Sequence, residues 1–161
     1  MAETKITKNL CLIFIDTSDA SDGSSSPTWK RVDKSTILSI VMNAETESMD
    51  YISQELPTEE IKSYKPSMDQ EIATYKGNPI YEFMFKKFYN CDLAHGKTLI
   101  CFPENETDQQ AWQIDDTTFT LNEMNYVDGK ITWGMNFGGD IKRGTYTVSE
   151  GVPTFSESPA S

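Results

Sequence analysis

Histidine is nearly missing: the chain has His95 and no other in 161 residues. Hydrolytic triads rest on an imidazole base. With no Gly-x-Ser-x-Gly, no phosphate-cradling glycine loop and no Cys-x-x-Cys either, catalysis has little to work with, and no enzyme is expected. Basic charge is also scarce, 14 Lys and Arg against 25 Asp and Glu, for a net charge of −11. Gripping nucleic acid takes clustered Lys and Arg, so that class is set aside. Touching DNA without gripping it is compatible with acidity, because a carboxylate-lined surface repels a polyanion and lets it slide; solubility is the plainer reading of the same charge. Long apolar runs are absent. Nothing approaches the ~20 residues of a membrane-spanning helix, and Met-Ala-Glu-Thr-Lys-Ile-Thr-Lys opens no export signal. The expectation is a protein made in a cytoplasm, with no membrane contact. The cysteines Cys11, Cys91 and Cys101 are an odd number without a secretory context, which predicts free thiols.

Metal and cofactor readings fare no better. Cys91, His95 and Cys101 fit no ordinary zinc spacing and lack a fourth ligand. Asp16, Asp19 and Asp22 stand three apart where an EF-hand loop places its acids two apart, and Pro27 takes the position of the bidentate Glu. Asp115-Asp116 has no partner base, so a glycosidase reading is unsupported. No catalytic residue, cofactor or metal is expected.

What is present reads mostly as strands. Leu10 to Ile15 is a continuous apolar run typical of a buried strand. Asp16 to Pro27 is rich in Ser, Asp and Gly, which predicts a flexible loop over 16–28. Thr36 to Asn43 and Thr98 to Phe102 predict two central strands, the second stopped by Pro103. Asp128-Gly129 predicts a two-residue hairpin with Tyr126 opposite Ile131 and Met124 opposite Trp133. Ile131, Trp133, Met135 and Phe137 alternate with Thr132, Gly134 and Asn136, which puts four large apolar groups on one face. Phe119 and Leu121 have the other parity, so a bulge is expected near Asn122 or Glu123. A last strand runs from Gly144 to Val148, and 149–161 reads as a loosely held tail. The architecture expected is one domain, 1–148, mainly β: an antiparallel β-sandwich or half-barrel with one flanking α-helix at about 79–90.

That helix carries the main functional signal. Asn78 can cap it and Pro79 can open it. Ile80, Phe83, Met84 and Phe88 make one apolar stripe, and Tyr81, Phe85 and Tyr89 make a second beside it. Together they cover about two thirds of the circumference, more than a helix on a monomer's surface normally shows. The cover is either a neighbouring part of the same domain or another subunit. Ahead of the helix lie two acid-studded segments read as extended, Asp50 to Leu56 and Pro66 to Ile72.

The order and spacing of Asp50-Tyr51-Ile52-Ser53-Gln54-Glu55-Leu56-Pro57-Thr58-Glu59-Glu60-Ile61, then Tyr64-Lys65-Pro66-Ser67-Met68-Asp69-Gln70, then Tyr75-Lys76-Gly77-Asn78-Pro79-Ile80-Tyr81, carry a family resemblance. The chain resembles the major tail (tail tube) proteins of long-tailed, siphovirus-type phages of Gram-positive bacteria, closely in these segments and more loosely over most of its length. The Ser-rich loop from Asp16 to Pro27 matches nothing in that pattern.

The resemblance implies a structural virion protein: a tail-tube-like β-sandwich, six copies of which form a ring. Rings stack into a tube whose acidic lumen conducts DNA during ejection without binding it specifically. It further implies a place in the virion tail, synthesis in the cytoplasm of the bacterial host, and tape-measure, distal tail and tail-terminator proteins as partners. Acids two apart on a strand share a face, so Glu45 with Glu47 and Asp69 with Glu71 are the lumen candidates. Tyr81, Phe85 and Tyr89 are the subunit-interface candidates. The tube of a contractile tail or of a tail-like particle is an alternative with the same fold. A monomeric β-sandwich that binds a ligand on a tryptophan- and tyrosine-rich platform is an alternative of another class.

Overall fold

The computed structural model describes residues 3, 11–17, 28–33, 35, 39–91, 93–102 and 110–157. Among these, eight strands form one antiparallel sheet: β1 (Leu12–Asp16), β2 (Trp29–Arg31), β3 (Ile40–Val41), β6 (Ser67–Ala73), β7 (Ala94–Cys101), β8 (Gln110–Asn125), β9 (Lys130–Ser149) and β10 (Val152–Glu157). The lateral order is β2-β1-β7-β8-β9-β6-β3, with β10 also paired to β9. Strands β4 (Ala44–Met49) and β5 (Thr58–Tyr64) form a separate two-stranded ribbon, and helix α1 spans Pro79–Asn90. The fold is the mainly antiparallel β-sandwich with one flanking helix that the sequence predicts.

The hairpin of β8 and β9 is the spine, its strands 16 and 20 residues long. The first half of β9 pairs with β6, from Ser67 opposite Asn136 to Ala73 opposite Lys130, and the far half pairs with β10. Between them the register shifts at Ile114/Asp116, and Gly139 takes a φ of +66°, a left-handed conformation open to glycine at little cost. This bend lets one long hairpin serve two hydrophobic clusters. The larger holds Trp133, Met135, Ile131, Phe119, Met68 and Ile72 with Ile80 and Met84 of α1. The smaller holds Phe14, Leu99, Cys101, Ala111 and Tyr146, flanked by Trp29 and Phe155. Strand β1 sends Ile13 and Ile15 to the first and Phe14 to the second, so both of its faces are dry. That is why its sequence reads as an unbroken apolar run rather than an alternation.

The α1 boundaries match expectation. The Asn78 side chain accepts hydrogen bonds from the backbone N–H groups of Ile80 (3.0 Å) and Tyr81 (3.5 Å), and Pro79 needs no partner at the first position. Cys91 closes the helix at φ 51°, in the left-handed region.

The bulge lies where the parity change in the sequence puts it, between Leu121 and Glu123. The extra Asn122 brings Phe119, Leu121 and Met124 onto one face, against Met135, Trp133 and Ile131. The hairpin turn differs from expectation. The strands end at Asn125 and Lys130, leaving Tyr126–Gly129 as the loop; Met124 pairs with Ile131, and Trp133 pairs with Leu121. The cause is Asn125, whose Oδ1 accepts from the N–H groups of Val127 (3.0 Å) and Asp128 (3.1 Å). This side-chain turn makes a longer loop cheaper than a two-residue one. Gly129 keeps its positive φ of 67°.

Three further expectations are corrected. The strand read over Thr36 to Asn43 survives only as Ile40–Val41 at the sheet's edge, with 36–38 outside the described residues. Val41 and Met42 are exposed, and Asn43, at φ 48°, turns the chain out of the sheet into the ribbon. Asp50 to Leu56 is the turn joining β4 to β5 rather than an extended segment. The domain does not end at 148: Gly144 to Val148 belongs to β9, and the chain returns as β10, with Phe155 packed on the smaller cluster. Of the loop expected over 16–28, residues 18–27 lie outside the described ones. Its two ends are tied together, Thr17 N to Thr28 O at 2.9 Å and Thr28 N to Asp16 Oδ1 at 2.9 Å.

Candidate assembly interface

Helix α1 presents its second stripe as a ladder of rings. Tyr81 and Phe85 stand 6.0 Å apart between centroids, and Phe85 and Tyr89 stand 6.1 Å apart. Tyr81 and Phe85 are half-buried and Tyr89 is 76% exposed. Burial pushes the Tyr81 hydroxyl above its ordinary value, and the nearby Tyr126 and Glu82 push it the same way. The first stripe is the one that enters the core. Ile80 and Met84 are buried, Phe83 meets Phe119 edge-on at 6.3 Å, and Phe88 at the far end is left partly exposed. The helix therefore has more apolar surface than its own domain covers.

The β4–β5 ribbon is uncovered on both faces. Ala44 to Ser48 and Glu59 to Tyr64 are exposed, and its turn carries Ile52, fully exposed, and Leu56. Two-stranded ribbons alone in water are marginal. This one has also accumulated acids, with Glu47 directly opposite Glu60, a like-charge pair that weakens it further. Its stem is well held. Asn43 Nδ2 donates to Lys65 O (3.0 Å) and to Ser67 Oγ (2.8 Å), and Lys65 N donates to Met42 O (3.0 Å). Sequence reading missed this surface because an apolar residue in an acidic turn has the same composition whether or not it has a neighbour.

The four acids proposed for a lumen fall in two places. Asp69 and Glu71 project from the outer face of the large sheet, while their neighbours Met68, Gln70 and Ile72 point to the core. Glu45 and Glu47 lie on the ribbon. Two of the four are matched by lysines: Glu45 bonds Lys65 at 2.6 Å, and Glu71 bonds Lys130 at 2.9 Å. Hydrogen bonding to Lys65, then its charge, holds the Glu45 carboxyl below its usual value. Around Asp69 the sheet is small and polar. Gly134 sits opposite it, Thr120 lies beyond on β8, and Asn136 donates to Thr120 at 3.1 Å. The alternation of Thr132, Gly134 and Asn136 was the sequence signal for this face.

The groups that might do chemistry are scattered. His95 is exposed, 4.0 Å from Asp116 and 3.4 Å from Thr118 Oγ1. Burial pushes the Cys101 thiol up to about 12, which keeps it protonated in the smaller cluster, while Cys91 is exposed at the helix end. Among the described residues no three His, Cys, Asp or Glu side chains are placed to hold a metal, and no helix is long and apolar enough to cross a membrane. Trp133, which alternation places on the bulky face of its hairpin, is wholly buried and so belongs to no aromatic platform.

Sequence comparison matches the chain to no family model and to no curated protein. Comparison of folds does find similar structures. A chain in the tail of the empty gene transfer agent particle, refined with C6 symmetry, superposes with a TM-score of 0.58 at 12% identity, over 85% of this chain and 97% of that one. A chain in the 6-fold symmetrised baseplate of the anti-feeding prophage gives 0.56 at 8% identity, over 89% and 97%. A chain in the PVC sheath/tube terminator of an extracellular contractile injection system gives 0.56 at 6% identity, over 89% and 99%. What this chain shares with these proteins of phage-like tail particles is the whole fold, nearly end to end.

Proposed function

We propose that the chain is the tube subunit of a phage-type tail, a structural protein without enzymatic activity that assembles as six-membered rings stacked into a hollow tube. The observation that carries the proposal is a likeness of fold covering 85–89% of this chain with chains from tail and injection particles. Unused apolar surface on α1 and on the ribbon supports it, since ring closure and stacking bury such surface and protect free strand edges. Six-fold symmetry is stated for two of the related particles. The subunit is then part of a virion tail, made in the host cytoplasm, with tape-measure, distal and terminator proteins as partners. The sequence resemblance favours a siphovirus-type tail of a phage of Gram-positive bacteria. Likeness to a contractile injection system favours the tube of a contractile tail as the second reading.

Negative-stain electron microscopy and sedimentation velocity on the purified protein test this. Hollow tubes or rings about ten nanometres wide are expected, the width of domains a few nanometres across packed around a DNA-wide channel. A protein that stays monomeric even with its tail initiator would return the chain to the ligand-binding alternative.

In this reading the outer face of the large sheet, with Asp69 and its Thr and Asn neighbours, lines the channel, and its charge keeps DNA from sticking. Duplex DNA carries a charge every ~1.7 Å, so one new cation per subunit repeats around every ring. Asp69→Lys together with Glu71→Lys is expected to leave tubes intact, because the Glu71–Lys130 pair lies at the surface, where solvent screens an ion pair and little stability depends on it. It is expected to slow DNA ejection, measured by dye release from triggered particles. Ejection at the wild-type rate from normally assembled particles would remove this face from the lumen.

A further inference from the structure

Beside the C-terminal end of α1 the surface opens into an apolar groove of about 720 Å³, walled by Phe88 and Tyr89 of the helix, Leu93 of the connection, and Phe119 and Leu121 of β8. Leu93 is 93% exposed, so none of the described residues closes the groove. Its size is within the range of sites that enclose a whole small ligand. We propose that the occupant is the turn of the β4–β5 ribbon from a second copy of the chain, with Ile52 and Leu56 inserted between Leu93 and the helix end. The inference rests on the tube reading and names the contact by which one subunit holds the next.

Three observations select this occupant. First, the chain itself carries both halves of the contact: a fully exposed Ile52 with Leu56 on a projecting turn, and an open apolar groove. Second, charge is complementary. The turn is flanked by Asp50 and Glu55, and β5 opens Thr58-Glu59-Glu60, whereas Lys86 and Lys87 stand just before Phe88 and Tyr89 on the helix, lining the neighbouring cleft with Glu82 and Phe83. Long-range attraction between these groups favours this pairing over ribbon against ribbon, where like charges meet. Third, the ribbon is built to reach and to aim. Strands of 6 and 7 residues extend about 20 Å from the stem, and the Asn43 bonds to Lys65 and Ser67 fix its direction before any contact is made. A knob on one patch fitting a hole on another is a heterologous contact, which repeats from copy to copy without closing on itself as a dimer does. Stacked rings require such a contact.

Covalent trapping tests the contact directly, because a disulfide forms only when the two Cβ atoms come within about 3.5–4.5 Å. The full chain is prepared with Ile52→Cys and Leu93→Cys on a Cys91→Ser background, assembled, and oxidised mildly. The expected result is a ladder of covalent multimers on a non-reducing gel that either single substitution abolishes. As an independent measure, Ile52→Asp with Leu56→Asp is expected to raise the concentration needed for assembly at least tenfold. Its thermal melt should stay at the wild-type temperature, since neither side chain enters a core. Normal tubes with no ladder and an unchanged assembly threshold would overturn the proposed contact and leave the tube reading standing. A wild-type chain that forms neither rings nor tubes with its initiator would overturn the tube reading and this contact with it.

Discussion

Replacing Phe85 with Asp is expected to leave a folded monomer that no longer forms rings or tubes. Phe85 is the middle rung of the Tyr81-Phe85-Tyr89 ladder, on the side of α1 turned away from Ile80 and Met84. Losing two ring contacts costs about 0.5–1.5 kcal/mol each, and an Asp within a helix adds a few tenths more. A domain with ~5–15 kcal/mol of stability survives that. A subunit contact does not, because a carboxylate enclosed between helices brings an effective penalty of several kcal/mol per ion. Each 1.4 kcal/mol is a factor of ten in affinity, so the assembly threshold should rise by about a hundredfold or more. Sedimentation velocity and electron microscopy read the assembly, and the far-UV melt reads the fold. Phe85→Leu, which keeps the apolar contact, should still assemble. Normal tubes from a well-folded Phe85→Asp protein would place the subunit contact elsewhere, and the half-buried rings would then belong to the monomer's own surface.

The parts of this fold legible in the sequence are those fixed by neighbours along the chain. Asn78-Pro79 sets the helix start because the capping oxygen and the N–H groups it satisfies lie within three residues. The bulge at Asn122 was legible because a parity change from Phe119 and Leu121 to Met124 can be absorbed only by one extra residue. The hairpin register was missed by two residues because the decisive group is the Asn125 side chain, which competes with the backbone for the turn's N–H groups. Long-range partners were not legible at all. Nothing local distinguishes Ile40–Val41 at the edge from Leu99 and Ile100 at the centre, since both segments are apolar and β-prone. The candidate site divides in the same way. The double stripe on α1 follows from helical spacing, whereas the ribbon exists only once β4 and β5 pair apart from the sheet, and the groove only once the end of α1 lies beside β8. The acids show the limit of spacing arguments: alternation put Asp69 and Glu71 correctly on one outer face, but it had no means to pair Glu71 with Lys130 across β9.

The second large effect is expected at Gly144, which pairs with Glu157 of β10. A Cβ there would overlap the carbonyl oxygen of Ser156 and lie 2.9 Å from the Cα of Glu157. These are backbone atoms of the paired strand, so no rotamer change relieves the overlap, and the strands must part locally. Gly144→Ala should therefore cost about 3 kcal/mol, the upper end for overpacking, and lower Tm by ~6–12 °C in a domain of this size. Gly151 provides the contrast. With φ at +78° and nothing within 4 Å of its would-be Cβ, Gly151→Ala meets only backbone strain, of order 1 kcal/mol. Separating β10 from β9 also withdraws Phe155 from the smaller cluster and bares the far half of the longest strand in the sheet. Free edges of that length recruit other chains, so Gly144→Ala should aggregate at temperatures where the wild type forms ordered tubes. Removal of residues 149–161 is the matching deletion. If this segment were the loosely held tail that the sequence suggests, the shortened chain would melt with the wild type. With β10 completing the sheet, it should melt as low as Gly144→Ala or lower, and light scattering during the melt should rise with the same midpoint in both.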